Sequence, residues 1–299
     1  MARYEPALDL AAISAIDVHV HIEIGADGRL ALPPALMEAS SAYFSADDRT
    51  PTIDAIATGY RERGMAAVVF TIDAGTALGH PPIDSAEIAD AAARNADVLI
   101  PFGSVDPLTG GAAVELARRL VEESGVRGFK FHPSLQGFDP SEQRFSPLWA
   151  ELASLRVPAL FHTGQNGIGA GRRGGGGIRL GYSNPMLLDG VAADFPDLDV
   201  IFAHPSVPWQ DEANSIATHK TNVWIDLSGW SPKYFPESLV RLASRGLQDR
   251  VLFGTDFPLI TPEKWLSAFA ELPIPDDVRP KILKSNAVRL LGLDPTAPH

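Results

Sequence analysis

The chain has 299 residues, of which 45% are hydrophobic and 21% charged, enough apolar content for one large core. Its formal net charge of -12 and sequence pI of 5.1 argue against an electrostatic nucleic-acid binder. There is no cysteine, which excludes disulfides, thiolate metal sites and cysteine nucleophiles; a metal would have to be held by His, Asp, Glu or a modified Lys.

The first residues, MARYEPALDLAAISAID, lack the basic start and apolar core of a signal peptide. No apolar run approaches the ~20 residues that a membrane span needs. The expected location is the cytoplasm, with no nucleic-acid or membrane partner.

One pattern recurs along the chain: a short apolar, β-rich run, a turn, then a longer amphipathic stretch. The predicted strands are 16–21 (IDVHVH), 66–72 (AAVVFTI), 98–104 (VLIPFGS), 128–132 (GFKFH), 158–163 (PALFHT), 199–204 (DVIFAH), 222–228 (NVWIDLS) and 251–256 (VLFGTD). Near-continuous apolar runs suit strands covered on both faces, as in a parallel sheet. Predicted helices lie between them at 52–63, 84–96, 111–124, 146–155, 185–194, 210–219, 235–247 and 263–290, the last in two pieces. Eight such units over nearly the whole chain read as a single-domain (β/α)8 TIM barrel spanning 1–299. A doubly wound open sheet is the other fold considered, but no Gly-x-Gly-x-x-Gly turn follows the first strand. Two long loops, 22–50 and 164–184, follow strands one and five. In a barrel both lie on the C-terminal face, which favours a lid or substrate-binding role over plain surface insertions.

In strand one, His19 and His21 share a face by alternation, with Val18 and Val20 on the other. Two neutral imidazoles side by side form half of a metal site. More polar residues stand at the C-terminal ends of other strands: Lys130 and His132 on four, His162 on five, His204 on six, Asp226 and Ser228 on seven, and Asp256 on eight. Taken singly, each histidine reads more simply as a hydrogen-bonded core residue. Their convergence at one end of a barrel reads as a catalytic site, because polar groups pointing inward are costly unless paired or bound to something. Asp17, two residues before His19 and so on the same face by alternation, one layer deeper, either orients a ligand or fills a buried hydrogen-bonding role.

IDVHVH, GFKFHPSLQGF, FHTG, FAHPS, NVWIDLSGW, FGTDFP and SNAVRLLGL, spread over residues 16–293, resemble the amidohydrolase superfamily. The similarity is to its amidohydrolase-related branch, which includes aminocarboxymuconate semialdehyde decarboxylase, resorcylate-type decarboxylases, and lactone and β-ketoacyl hydrolases. FKFHPSLQGF, the Gly-rich segment and IDLSGWSPK look most like members that hydrolyse 4-hydroxyphenyl-β-ketoacyl-CoA.

The resemblance implies His19, His21, His162 and Asp256 as metal ligands and His204 as the residue that polarises substrate or shuttles a proton. Three imidazoles and a carboxylate suit one Zn2+, or Mn2+, with a position left for water. Asp256 would take the water proton while His204 steadies the oxyanion. By strand alternation Thr255 and Phe257 point away from the site. Lys130 is either a carboxylated bridge between two metals, as in binuclear members, or a plain ammonium that binds an anion. The single metal usual in this branch favours the ammonium. His132 is expected either to touch substrate or to support a residue that does. Arg172, Arg173 and Arg179 surround Gly174 to Gly177, and either grip a phosphate or carboxylate or form a solvated basic loop. Trp209 and Trp230 follow strands six and seven and either wall an aromatic substrate or pack against loops. His80, His219 and His299 receive no function, and Trp149, Trp224 and Trp265 fit packing.

The expected activity is metal-dependent hydrolysis at a carbonyl carbon of a small anionic, aromatic-type substrate, with a β-ketoacyl-CoA as the sharper expectation. The alternatives are a metal-dependent non-oxidative decarboxylase of an aromatic or muconate-type acid, and a non-catalytic barrel. A small molecule is the expected partner, with a homodimer as a guess from the family.

Overall fold

The computed structural model describes residues 2–44 and 50–294, and the side chain of Phe44 is not described. Residues 45–49 of the first long loop, and His299, lie outside the described residues. Eight strands are seen among the described residues: β1 (Ala15–His21), β2 (Met65–Phe70), β3 (Leu99–Pro101), β4 (Phe129–Phe131), β5 (Ala159–His162), β6 (Val200–Ala203), β7 (Val223–Asp226) and β8 (Val251–Leu252). All pair in parallel, in the order β1-β2-β3 and β4-β5-β6-β7-β8. Two seams join these runs into a barrel. At one, the Gly103 N–H donates to Gly128 O (2.8 Å) and the Lys130 N–H to Gly103 O (2.8 Å). At the other, Val18 N–H donates to Phe253 O (2.9 Å) and Asp256 N–H to His19 O (3.0 Å).

The helices follow the predicted units: Ile53–Glu62, Ser85–Arg94, Gly111–Glu122, Ser146–Leu155, Gln210–His219, Glu237–Ser244 and Pro262–Ala270. Predicted helix 185–194 is half realised, as a 3₁₀ turn (Pro185–Leu188) running into Asp189–Asp194. The final predicted helix is broken by the PIPDD stretch, then resumes as a π-turn at Lys281–Ser285 and a helix at Asn286–Leu290. The first long loop is not irregular throughout: Pro34–Phe44 forms a helix, with Pro34 in its first turn, where a missing N–H costs nothing. No helix is long and apolar enough to cross a membrane, among the described residues.

Alternation along the strands divides the core into two apolar shells. Phe129, Phe131, Ala159, Phe161, Val200, Phe202, Val223 and Ile225 face outward into one cluster with Ile56, Tyr60, Leu120 and Leu152 of the helices. Ile16, Val18, Val68, Leu160, Ile201, Trp224 and Leu252 fill the barrel interior, with Ala287 and Leu291 beside them. Strand β1 changes hands midway, because its register with β2 shifts between Asp17 and Val20. Val18 therefore belongs to the inner cluster and Val20 to the outer one. An irregularity of this kind re-aims side chains, and it corrects the expectation that Asp17 and His19 share a face. Asp17 turns outward and accepts from the Tyr60 hydroxyl (2.6 Å), the Thr255 hydroxyl (2.6 Å) and the N–H groups of His19 (3.1 Å) and Thr255 (3.0 Å). It is a buried clasp between β1, β8 and a helix.

Candidate active site

The polar strand ends meet at the C-terminal mouth of the barrel. His19 and His21 leave β1; Lys130 lies within β4 and His162 ends β5; Asp226 ends β7. His204 and Asp256 stand just past β6 and β8 in left-handed backbone, at φ 71° and 69°. Such conformations are costly for residues other than Gly and gather at functional sites. For His204 the turn has a geometric reason. Its neighbour Ala203 already faces the barrel interior, so regular alternation would send the imidazole out to the helices. Two glycines make room around these groups. A Cβ on Gly254 would lie 2.2 Å from Asp226 Oδ1, and one on Gly229 would lie 2.4 Å from His204 Nδ1.

Three donor atoms form a tight triangle. His19 Nε2 lies 3.2 Å from His21 Nε2 and 3.3 Å from Asp256 Oδ1, and His21 Nε2 lies 3.1 Å from the same oxygen. Among the described residues this is the grouping of three or more such side chains that could hold a metal ion. The chemistry of the set fits. Asp226 Oδ2 sits 2.6 Å from His19 Nδ1; when ionised it can only accept, so the Nδ1 N–H donates to it and the Nε2 lone pair faces the triangle. An imidazole lone pair pointing at a carboxylate oxygen at 3.3 Å calls for a cation between them. Lys130 Nζ, 3.2 Å from His19 Nε2, is the cationic side chain beside it.

The same reasoning fixes the neighbouring tautomers. Gln165 O accepts only, so at 3.1 Å His162 Nε2 carries a proton and His162 Nδ1 is an acceptor. His204 Nε2, 3.1 Å from that Nδ1, is then the donor. Ser228 Oγ lies 2.9 Å from His204 Nδ1 and 2.9 Å from His19 Nδ1, and its hydroxyl donates to Asp226 Oδ2 at 2.8 Å. These protons are assigned from the hydrogen-bond network. His162 therefore stands beside the triangle but not in it, occupied by the Gln165 carbonyl and by His204. His132 stacks on His162 with ring centroids 3.8 Å apart, and its Nδ1 accepts from Leu135 N–H.

Burial governs the protonation states here. Desolvation is the largest influence on His19, His132 and His162, and it holds all three imidazoles well below their usual range. It lowers His204 to about 4, against the pull of Asp256. Desolvation brings the Lys130 ammonium down to about 8, opposed by Asp256 and Asp226, and pushes Asp226 up to about 8, opposed by Ser228 and Lys130. At Asp256 burial is outweighed by the hydrogen bond to His21 and by the charges of His204, His21 and Lys130, so its carboxyl stays ionised.

Above the triangle lies a cavity of about 410 Å³ lined by His21, Lys130, His132, His162, His204 and Asp256 at its polar end. Ala31, Leu32, Ile72, Ile168, Leu180 and Trp230 supply apolar wall. The two long loops pack on each other, with Ile168 and Ile178 against Leu32, Leu36 and Met37. Trp230 thus lines the cavity. Trp209 is half-buried and does not line the cavity, because the chain past His204 turns it into the start of helix Gln210–His219. Arg172, Arg173 and Arg179 do not line it either. All three are exposed, since left-handed glycines at 174–176 turn the strip outward, and Arg179 folds back on Tyr182. Thr255 and Phe257 point away from the site as expected, Thr255 towards Asp17. His80 shapes a loop by bonding Leu30 O at 2.8 Å. Trp149, Trp224 and Trp265 are buried in packing.

Sequence reasoning assigned no part to Thr71, Gln165 and Asn166, which also line the cavity. Thr71 follows β2 directly and Gln165 and Asn166 stand three and four residues past the end of β5, near the strand ends that marked the other site residues, but none is a titratable or metal-binding type.

A family model described as Amidohydrolase matches residues 16–293. Among solved structures the fold is similar to an uncharacterized TIM-barrel protein from Bordetella bronchiseptica (TM-score 0.77, 23% identity, covering 93% of this chain and 98% of that one). It is also similar to a dihydroxybenzoic acid decarboxylase from Polaromonas sp. JS666 with bound manganese and 2-nitroresorcinol (TM-score 0.66, 17% identity, 94% and 98%). A third likeness is to a probable 2-pyrone-4,6-dicarboxylic acid hydrolase from Acinetobacter baumannii (TM-score 0.62, 17% identity, 94% and 100%). At these identities the likeness is one of fold. Protein fluG of Emericella nidulans is 27% identical over 122 residues, 40% of this chain but 13% of that protein's length. The family match runs from the first strand past the last, over the whole barrel that carries the His19, His21 and Asp256 triangle, and the chain belongs to the amidohydrolase family.

Proposed function

We propose that this protein is a metal-dependent hydrolase that attacks a carbonyl carbon of a small anionic, aromatic-type substrate. The observation that supports it is the triangle of His19 Nε2, His21 Nε2 and Asp256 Oδ1 at the polar end of a cavity. One divalent ion, zinc or manganese, would be held by these three residues with His162 as the fourth ligand, once its Nε2 releases the Gln165 carbonyl. When bound, it supplies Lewis acidity, polarising a carbonyl and bringing the pKa of water towards ~7. Asp256 is ionised and can take the proton of attacking water. His204, 3.1 Å from His162 at the same mouth, would polarise the substrate or shuttle a proton to it. Lys130, buried at the floor, attracts the anionic group of the substrate, and His132 stacks on His162 and shapes the wall beside it. A β-ketoacyl thioester is the sharper proposal: its acyl group would fill the cavity, while its charged end lay outside near Arg172, Arg173 and Arg179.

The test is turnover of thioesters, lactones and aromatic acids by metal-loaded protein in 18O-labelled water. Label entering the product acid supports hydrolysis. CO2 release without label would sink it in favour of non-oxidative decarboxylation, which draws on the same residues.

A further inference from the structure

Ser228 follows the end of β7 by two residues and is fully buried. The proposed reaction gives it no part, yet its oxygen lies within hydrogen-bond distance of three site groups: Asp226 Oδ2 (2.8 Å), His19 Nδ1 (2.9 Å) and His204 Nδ1 (2.9 Å). One carboxylate grips it twice. The Ser228 N–H donates to Asp226 Oδ1 at 3.0 Å, and its hydroxyl donates to Oδ2. Held by backbone and side chain together, Oγ is a fixed point in the floor of the barrel mouth. A hydroxyl has one proton and two lone pairs, so it can serve the carboxylate and an imidazole at once.

His204 is the imidazole that most needs such a point. It stands past the end of β6 in left-handed backbone, where its N–H donates to Asp226 O at 2.9 Å. Among the described residues each of its ring nitrogens has one hydrogen-bonding neighbour: Nε2 meets His162 Nδ1 at 3.1 Å, and Nδ1 meets Ser228 Oγ. The nitrogen that serves a substrate must give up its present neighbour while it does so. Nδ1 is closed off by Ser228 and by the Gly229 backbone, where even a Cβ would come within 2.4 Å of it. Nε2 is the nitrogen left for substrate, and while it is engaged there the bond to Ser228 is what keeps the ring in plane.

We propose that Ser228 is a positioning residue for His204. Clamped by Asp226, its hydroxyl sets the plane of the His204 ring, while Asp226 itself sets that of His19. One strand end thus aligns the substrate-facing imidazole with a metal-facing one. This rests on the reading of His204 as the group that polarises substrate or moves a proton.

The experiment is a double-mutant cycle of Ser228→Ala, His204→Ala and the pair in the zinc-loaded full chain, with zinc determined on every sample. The kinetic probes are 4-acetoxybenzoate and S-phenyl thioacetate. Ser228→Ala is expected to lower kcat about 10- to 100-fold and to leave KM within about twofold, with about one zinc per chain. In the His204→Ala background the same change should alter kcat by less than about twofold, because Ser228 acts through that ring. Ser228→Cys, which keeps a weak donor and acceptor on the same stem, should fall between parent and alanine, and it carries the cycle if the alanine variant does not fold. A kcat equal to the parent's, or an equal loss in both backgrounds, overturns the proposal. Loss of zinc from Ser228→Ala also overturns it, by placing the action of Ser228 on His19. A second readout needs no substrate: the ring-nitrogen spectrum of zinc-loaded protein labelled with 15N-histidine, in which the signals that vanish in His204→Ala belong to His204. These should form one sharp set in the parent and a split or broadened set in Ser228→Ala. A single sharp set in Ser228→Ala would show that packing alone holds the ring, and the proposal would fall. If the parent turns over neither probe, that result counts against the hydrolase reading, and the ring spectra decide the role of Ser228.

Discussion

His19 Nδ1 and Asp226 Oδ2 lie 2.6 Å apart, both fully buried, although 207 positions separate them in the chain. The bond joins the first strand to the seventh and sets which nitrogen of His19 is free. Asp226→Asn keeps the size but can present an N–H where the carboxylate accepted, so His19 loses its fixed tautomer. Metal affinity is expected to fall about 10- to 100-fold, measured by competition with a chromophoric chelator, while the far-ultraviolet circular dichroism stays that of the parent. An unchanged affinity would mean that Asp226 serves packing alone.

His162 and His204 bond to one another at 3.1 Å, yet we assign them different roles. His162→Ala should lower metal occupancy, because a ligand is removed. His204→Ala should retain about one equivalent of metal and lose about 10²- to 10⁴-fold in kcat, the span for a positioned proton donor. Elemental analysis beside steady-state kinetics checks both. If His204→Ala is the variant that loses metal, the two assignments exchange.

Among the described residues no carboxylate is in hydrogen-bond contact with Lys130; its ammonium meets His19 Nε2 and lies 5.3 Å above the Phe70 ring. As a plain ammonium it should be matched by one metal per chain. Lys130→Met should raise KM for anionic substrates more than it lowers kcat, and leave the melting temperature equal or higher, since burying a charge costs more than burying a thioether. Two metals per chain, both lost in Lys130→Met, would instead identify a carboxylated bridge.

The barrel was legible because every strand is a short apolar run closed by a turn, and because alternation within β4, β5 and β7 is regular enough to place Lys130, His162 and Asp226 inside. What escaped are the places where alternation breaks. The register shift in β1 turns Asp17 outward, and the left-handed backbone at His204 reverses the face its strand would give it. Neither leaves a mark in residue type. The arginines left two readings open for another reason: composition announces a basic, Gly-rich strip but not which way it faces. Thr71 and Asn166 escaped because neither residue type is titratable or metal-binding, and only the fold brings them to the cavity wall.

Asp17 offers the sharpest contrast between holding the fold and serving the site. Its carboxylate accepts from two hydroxyls and two backbone N–H groups, and in doing so ties β1 and the chain after β8 to helix Ile53–Glu62. Asp17→Ala leaves four buried donors without an acceptor. Each orphaned donor costs about 1–3 kcal/mol, and they relax together, so the loss should be about 3–5 kcal/mol in urea unfolding. Asp256→Ala removes a group whose partners are the triangle histidines, and should abolish activity while unfolding cooperatively near the parent midpoint. The two variants thus separate stability from chemistry at residues that converge on the same seam. A stable but inactive Asp17→Ala would show that the clasp acts through His19 on the reaction, and that the barrel closes without it.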